Sequence, residues 1–308
     1  MRAVFAVLFA ALCFGTTGTS QALAGVDASP FAVGAARILI GGGILGVIAL
    51  AVGAKGEDRR SSPPIDRRSA SGPADWAIVL IGALGVLAYQ PTFFAGASLS
   101  GVALGTVVGI GSAPVFTGVL DSLIRRRLPS LRWCLTTALA LVGVLLASGV
   151  LTGGASEGVN PIGILAALGA GASYAVYTLA SKRLLDRGWG STQAMGALFG
   201  VAAVMSVPML LVAGFAWLAT PRGLALALWL GIVTVALAYL VFGMGLRSLS
   251  ANTVATLTLA EPLTAALLGI LVLGETLSPP SWVGLVVLGA ALVLLSLPAR
   301  RPRVPQTA

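Results

Sequence analysis

The chain has 308 residues, of which 57% are hydrophobic and only 9% are charged, and its formal net charge is +9. A soluble globular protein carries charges on roughly a quarter of its residues, so this composition excludes a soluble fold and predicts a protein that lies in lipid. The positive charge does not indicate nucleic-acid binding, because the basic residues occupy short loops where they would meet anionic lipid headgroups.

Ten apolar segments follow one another along the chain. Most of them are near or above the ~20 residues that a helix needs to cross a bilayer. No loop between them is long enough to form a soluble domain. The sequence therefore predicts an all-α integral membrane protein with ten transmembrane helices. The segments lie at about 4–25, 31–53, 75–96, 101–124, 133–152, 161–181, 192–218, 223–245, 251–274 and 281–297.

Positive charge alternates from one loop to the next. Of the 19 Lys and Arg residues, 17 lie at the N-terminus, in or next to alternate loops, or in the C-terminal tail, whereas Arg222 lies in an intervening loop and Arg37 inside a segment. Basic residues mark the cytoplasmic side, so we expect a multi-pass protein of the cell membrane with both termini in the cytoplasm. The longest loop, at about 54–74, is rich in Arg, Ser and Pro and is predicted to be a disordered cytoplasmic linker.

The first segment has a second interpretation as a secretory signal peptide. Arg2, the apolar run and Ala22-Leu23-Ala24 resemble such a peptide and its small-residue cleavage site. However, the run is long and is interrupted by Gly and Thr at positions 15–19. Its removal would also leave nine helices and disturb the repeat described next, so we expect the first helix to be retained.

Two stretches of the chain resemble each other. Pro114 precedes Trp133 by 19 residues, and Pro262 precedes Trp282 by 20 residues, at the same place in the fourth and ninth segments. Each half therefore holds five helices, and because five is odd, the second half enters the membrane from the opposite face. Such inverted repeats are typical of secondary transporters, whose substrate site lies near the midplane where the halves meet. The predicted units are 1–153 and 154–298 for the two repeats, and 299–308 for a cytoplasmic tail.

Both repeated prolines lie inside apolar segments. Proline removes a backbone hydrogen bond and frees a carbonyl group, and such breaks are tolerated in membrane helices where other groups satisfy the backbone, often along a cavity. We therefore predict structural kinks at Pro114 and Pro262, next to a transport path.

Glu261 is the main candidate for a functional residue. It lies about eleven residues into the ninth segment, directly before Pro262, and its counterpart in the first half is Ala113. An ionisable residue at this depth is costly and usually marks a site. Two interpretations stay open: a cavity carboxylate that binds an amine substrate or carries a proton, or a structural carboxylate that accepts hydrogen bonds from nearby hydroxyls.

Other polar residues at membrane depth are predicted to line the same cavity. A buried Tyr needs a hydrogen-bond partner, so tyrosines in mid-segment are expected to face the interior. The Thr-rich stripe of the first segment could face water or bond back to its own helix. Arg37 could reach the outer interface or pair with a carboxylate, and we expect a structural role for it. The predicted cavity residues, besides Glu261, are Thr16, Tyr89, Gln90, Tyr174, Tyr177 and Tyr239.

Several functions are disfavoured by what the sequence contains. The chain has no His and no phosphate-binding GxxxxGKS motif, so neither a His-based proton relay nor an ATPase is expected. We expect no cofactor and no metal. A membrane-embedded enzyme would need a cluster of His, Asp or Cys at one depth, and a channel would need a filter motif, and we find neither in the sequence. A small-molecule substrate and the lipid bilayer are the expected partners, and the oligomeric state is left open.

The second half closes with a recognisable pattern. Glu261-Pro262, Gly274-Glu275 and Trp282 resemble the EamA-type branch of the drug/metabolite transporter superfamily, and the resemblance extends over essentially the whole chain. Phe14-Gly15 and Arg37 are similar to the Trp-Gly and Arg positions of that family. The first half departs from the pattern, with three arginines at 125–127 where the family commonly has Gly-Glu.

This resemblance implies a helical bundle with a central cavity and alternating access. Members move small metabolites, often outward, including amino acids, nucleotide precursors and drugs. The resemblance implies the architecture and the class of reaction but not the substrate, the direction or a coupling ion.

Overall fold

The computed structural model describes residues 1–55, 72–152 and 160–297, and within these ranges the regular elements are all helical. Nine of the helices found there are long and apolar enough to cross a membrane, and α5, with 17 residues, is a shorter apolar helix. The prediction of an all-α membrane protein is confirmed. The predicted linker at 54–74 lies largely outside the described residues, and the predicted tail at 299–308 lies entirely outside them.

The helices follow the predicted segments closely. Two of them are not regular throughout: α8 contains a π-helical stretch at Leu230–Leu237, and α9 is interrupted between Leu257 and Ala260. The bounds are α1 Arg2–Ala24, α2 Pro30–Lys55, α3 Pro73–Ser100, α4 Val102–Arg125, α5 Leu131–Ala147, α6 Pro161–Asp186, α7 Ser191–Ala213, α8 Pro221–Ser248, α9 Ala251–Leu273 and α10 Pro279–Ser296.

Local sequence signals set the helix ends. Five of the helices begin at a proline, whose missing N–H would have no helical partner at that position. The side chains of Ser130, Asn160, Thr220 and Ser250 cap the starts of α5, α6, α8 and α9 by accepting hydrogen bonds from backbone N–H groups. At the other end of α1, Gly25 takes a left-handed conformation with φ +54°, which glycine adopts without a steric penalty.

Small residues allow the helices to approach closely. α2 packs along α7, α3 along α6, and α5 along α10, while α1 contacts α8 and α9. A Cβ atom on Gly46 would lie 3.2 Å from the Cα of Gly200, so the backbones of α2 and α7 are almost in contact. Since lipid provides no hydrophobic drive for helix association, such close packing stabilises the bundle.

The outer surface of the bundle is apolar. Large hydrophobic side chains such as Leu50, Leu211, Leu271 and Val286 are more than half exposed. The buried core at the centre includes aromatic side chains from α1, α6, α7 and α8. This distribution is that of a multi-pass membrane protein, whose outward-facing residues contact lipid.

The charged side chains of the loops gather at one end of the bundle. This end, where α4, α6 and α8 terminate, carries Arg125, Lys182, Arg187 and Arg247, and we call it the basic end. The opposite end, where α1, α3 and α9 terminate, carries few charges.

Candidate functional site

The interruption of α9 lies directly before Glu261 and has a local cause. Pro262 has no N–H, so the carbonyl of Thr258 cannot receive its usual helical hydrogen bond. The N–H of Glu261 bonds to this carbonyl instead, at 2.9 Å, and the N–H of Leu259 bonds to the carbonyl of Thr256 at 3.1 Å. Both bonds join residues that are three positions apart rather than four, so the helical turn is tighter here than in a regular α-helix. The resulting turn divides α9 into Ala251–Leu257 and Ala260–Leu273.

A small cavity lies beside this turn. It has room for about one or two water molecules in this conformation. Four helices contribute to the wall: α3, α4, α6 and α9. The lining residues are Tyr89, Ile110, Ala113, Tyr174, Ala255, Thr258, Leu259 and Glu261.

The Glu261 carboxylate lies on this wall without a hydrogen-bond donor. The residue is partly buried, and none of the described residues donates a hydrogen bond to its side chain. Its charge interacts with that of Arg37, but no ion pair of 4.0 Å or less joins the two within the described ranges. A carboxylate at membrane depth is costly unless it is paired, so this group is available to a cationic ligand or a proton.

The backbone at Glu261 is held against the first helix. A Cβ atom on Gly15 would lie 2.9 Å from the carbonyl oxygen of Glu261 and 2.6 Å from the Cβ of Thr264. Only glycine fits at this crossing without a shift of the neighbouring atoms. Gly15 therefore sets how close α1 comes to the interrupted part of α9.

Hydroxyl groups connect the cavity to an aromatic cluster. The hydroxyls of Tyr174 and Thr258 lie 2.6 Å apart, and Thr258 also donates to the carbonyl of Val254 at 2.7 Å. Next to them, the hydroxyls of Tyr177 and Tyr239 are 2.9 Å apart. The aromatic cluster, in which ring contacts link neighbouring members, comprises Phe14, Tyr174, Tyr177, Phe199, Tyr239 and Phe242.

Arg37 of α2 contacts Gln90 of α3. With the amide oriented so that its oxygen faces the guanidinium, Gln90 accepts hydrogen bonds from Nε at 3.2 Å and from Nη2 at 2.7 Å. The Gln90 side chain is buried and lies over Gly34, where a Cβ atom would come 2.9 Å from the other end of the amide, which is its nitrogen in this orientation.

Of the predicted cavity residues, three lie on the cavity wall: Tyr89, Tyr174 and Glu261. Gln90, Tyr177 and Tyr239 lie beside it, in the arginine contact and the aromatic cluster. Thr16 lies apart from these groups, since its hydroxyl donates to the carbonyl of Cys13 and accepts from Trp229 Nε1 at 3.2 Å. Whether any of them binds substrate stays a prediction.

The two prolines differ in their surroundings. α9 is interrupted just before Pro262, whereas α4 is assigned as helix without a break through Pro114. Sequence reasoning did not identify Thr258 or the contact between Arg37 and Gln90. A clue to Thr258 was available, because it lies four residues before a proline and its carbonyl is the one that the proline leaves free.

Ion pairs join the helices at the basic end. Arg125 of α4 contacts Asp186 of α6 at 2.8 Å, which links the two helices. Arg125 also contacts Asp121 of its own helix at 2.7 Å, and Lys182 contacts Asp186 within α6 at 3.3 Å.

A further ion pair lies at the same end, between Arg187 and the buried Asp75 at the start of α3. Trp189 also donates to Asp75, at 3.3 Å. The Nζ of Lys182 donates to the carbonyl of Leu246 in α8 at 3.1 Å. These contacts join α3, α6 and α8 at the basic end.

Comparisons with known proteins agree with this architecture. The EamA-like transporter family matches the chain at residues 1–149 and 161–297. "Uncharacterized transporter YwfM" of Bacillus subtilis (strain 168) is 37% identical over 302 residues, which cover 98% of this chain and 96% of that protein.

The chain is also similar to a transporter whose name states its substrates and to a solved structure. "Threonine/homoserine exporter RhtA" of Escherichia coli (strain K12) is 35% identical over 215 residues, covering 66% of this chain and 68% of that protein. A solved crystal structure superposes with a TM-score of 0.76 over 96% of both chains at 18% sequence identity, which indicates a shared fold.

Proposed function

Because this chain belongs to the EamA-like transporter family, we propose that it is a secondary transporter that exports a small amino acid or a related metabolite by alternating access. The observation that carries the proposal is the Glu261 carboxylate, which lies on a cavity wall without a hydrogen-bond donor among the described residues. An α-ammonium group is a cation with three N–H donors and can satisfy such a carboxylate.

The position of the cavity supports a transport site. Its wall includes Tyr89, Ile110 and Ala113 from the first predicted repeat and Tyr174, Thr258 and Glu261 from the second. Transporters built from inverted repeats bind substrate at the interface of the two halves, next to interrupted helices. The interruption of α9 supplies this feature.

The helix contacts agree with inverted repeats of five helices each. Under the predicted repeat, helices one to five correspond to helices six to ten. The contact of α3 with α6 then corresponds to that of α8 with α1, and the contact of α4 with α6 to that of α9 with α1, and all four contacts are present. The contacts of α2 with α7 and of α5 with α10 join corresponding helices. This pattern supports the proposed units at 1–153 and 154–298.

The substrate class rests on the relatives and on the chemistry of the wall. RhtA is a threonine/homoserine exporter by name, and both compounds carry an ammonium group and a hydroxyl. In this chain Glu261 would bind the ammonium, while Tyr174 and Thr258 offer hydroxyls to the substrate's own hydroxyl. Homoserine and threonine are therefore the first candidates to test.

We place the basic end in the cytoplasm of the cell, because positively charged loops stay on that side. The cavity holds only about one or two water molecules, so a substrate can enter only after the helices separate. Loading from the cytoplasm would require the pairs of Arg125 with Asp186 and of Arg187 with Asp75 to open. Reclosing them while the other end opens would release the substrate outside.

The experiment that tests the proposal is metabolite efflux from whole cells. Cells that express the protein are compared with cells that express Glu261→Ala at equal membrane abundance, by untargeted analysis of the medium and by release of preloaded labelled threonine and homoserine. Accumulation of an amino acid outside only with the intact protein would support export. Equal release from both strains would contradict it.

The same assay tests whether Glu261 exchanges a proton for the substrate, because the proton gradient can be varied independently. Collapse of the gradient with an uncoupler should reduce efflux by the intact protein if transport is coupled to protons. A Glu261→Gln protein that retains gradient-dependent efflux would remove Glu261 from the coupling step.

A further inference from the structure

We propose that Arg37, oriented by Gln90, binds the carboxylate of a zwitterionic substrate whose ammonium group is bound at Glu261. This inference rests on the proposed function and assigns the second half of the recognition site. It gives Arg37 a ligand-binding role in place of the structural role expected from the sequence.

The position of Arg37 inside the membrane needs an explanation. It lies seven residues, or about 10 Å, beyond the start of α2, so its charge is within the span rather than at its end. A charged side chain at such a depth normally pairs with an opposite charge. No described carboxylate lies within 4.0 Å of its guanidinium.

The contact with Gln90 orients the guanidinium but leaves part of it free. A guanidinium has five N–H donors, and Gln90 uses one at Nε and one at Nη2. The remaining three include the edge between Nη1 and Nη2, which can bind a carboxylate through two parallel hydrogen bonds. Gln90 is neutral, so it fixes the geometry of Arg37 without neutralising its charge.

Among the described residues, the same part of the molecule therefore holds one unpaired cation and one unpaired anion. Arg37 contacts Gln90, the residue that follows Tyr89, and Tyr89 lines the cavity together with Glu261. A zwitterion would satisfy both groups at once, whereas a simple amine or a simple acid would satisfy only one. Binding a neutral zwitterion would also carry no net charge into the membrane.

The test uses purified full-length protein in proteoliposomes and measures exchange of labelled L-threonine. Unlabelled L-threonine, L-threoninol, which lacks the carboxylate, and N-acetyl-L-threonine, which lacks the ammonium, serve as competitors. Since hydrogen bonds to charged groups are lost with either analogue, each should compete about tenfold or more weakly than threonine.

Two variants separate the carboxylate contact from folding. Arg37→Gln should weaken competition by threonine about tenfold or more while leaving threoninol nearly unchanged, so the preference for the carboxylate disappears. Gln90→Glu changes almost no volume but gives Arg37 a carboxylate of its own, and it should abolish the same preference. Arg222→Gln, at an exposed position near the start of α8, is the matched control and should behave as the wild type.

The outcomes distinguish this inference from the proposed function. If Arg37→Gln and Gln90→Glu both keep the wild-type preference for threonine over threoninol, the inference is overturned while amino-acid transport stands. If the wild-type protein exchanges neither threonine nor homoserine, the proposed substrate class and this inference are both overturned. Thermal unfolding of each variant confirms that it is folded, and should Arg37→Gln fail to fold, Gln90→Glu decides alone.

Discussion

The fourth and ninth helices occupy equivalent places in the predicted repeats, yet they contribute different kinds of side chain to the cavity wall. Ala113 and Ile110 of α4 correspond to Glu261 and Thr258 of α9, and all four line the cavity. The side of the cavity formed by α4 is thus apolar, while the side formed by α9 carries a carboxylate and a hydroxyl. Binding specificity is expected to lie on the second repeat.

The two helices also differ in their backbones. Both contain a proline at the equivalent position, but only α9 is interrupted, between Leu257 and Ala260. A proline alone is therefore insufficient to break the helix. In α9 the interruption coincides with the carboxylate and with the contact between Tyr174 and Thr258, so the irregular backbone and the polar groups occur together.

The largest expected effect comes from removing the charge that distinguishes α9 from α4. Glu261→Gln retains the shape of the side chain but loses a charge-assisted contact of about 1.5–3 kcal/mol with an ammonium group. We expect efflux of threonine or homoserine to fall about tenfold to a hundredfold. The matched control is Glu275→Gln, an exposed residue just beyond the end of α9, which should transport normally. Normal transport by Glu261→Gln, with the protein folded, would show that the asymmetry of the two helices has no role in binding.

A second prediction concerns the contact that holds α9 in place. Gly15→Ala puts a methyl group 2.9 Å from the carbonyl oxygen of Glu261 and 2.6 Å from Thr264, and overpacking of this kind costs about 1–3 kcal/mol. We expect a lower melting temperature in detergent and reduced efflux. Gly18→Ala, in the same helix but with no atom within 4 Å of the added methyl, is the control. Equal behaviour of the two variants would contradict a role for the α1–α9 crossing.

Sequence patterns predicted the parts of the structure that depend on depth in the membrane. Hydropathy and charge locate each helix along the bilayer normal, so ten helices were predicted and Glu261 was assigned to mid-depth. The same information places Tyr89 and Tyr174 at similar depth, and both lie on the cavity wall. These residues could be predicted from the sequence because a polar group at that depth has to face the interior of the bundle.

Features that depend on how helices rotate and pair were not predictable in this way. The contact between Arg37 and Gln90 joins α2 to α3 and requires the rotation of both helices, which hydropathy does not supply. Thr16 illustrates the same limit, because its depth is suitable but its hydroxyl meets Trp229 of α8. The π-helical stretch of α8 was likewise not predicted, since no residue in Leu230–Leu237 signals it.

The smallest expected effect tests whether the hydroxyl on α9 acts with the carboxylate or only supports the fold. Tyr174→Phe and Thr258→Val each remove one partner of the 2.6 Å contact, and a neutral hydrogen bond contributes about 0.5–1.5 kcal/mol. If the pair only stabilises the bundle, each variant should lower the melting temperature slightly and reduce transport of all substrates equally. If the hydroxyls contact the substrate, we expect affinity for threonine to fall about twofold to tenfold while alanine, which lacks the hydroxyl, is unaffected. If the pair only stabilises the bundle, the melting temperature of the double variant should be close to that of either single one, since both changes remove the same contact. Equal losses for threonine and alanine would restrict recognition on α9 to Glu261.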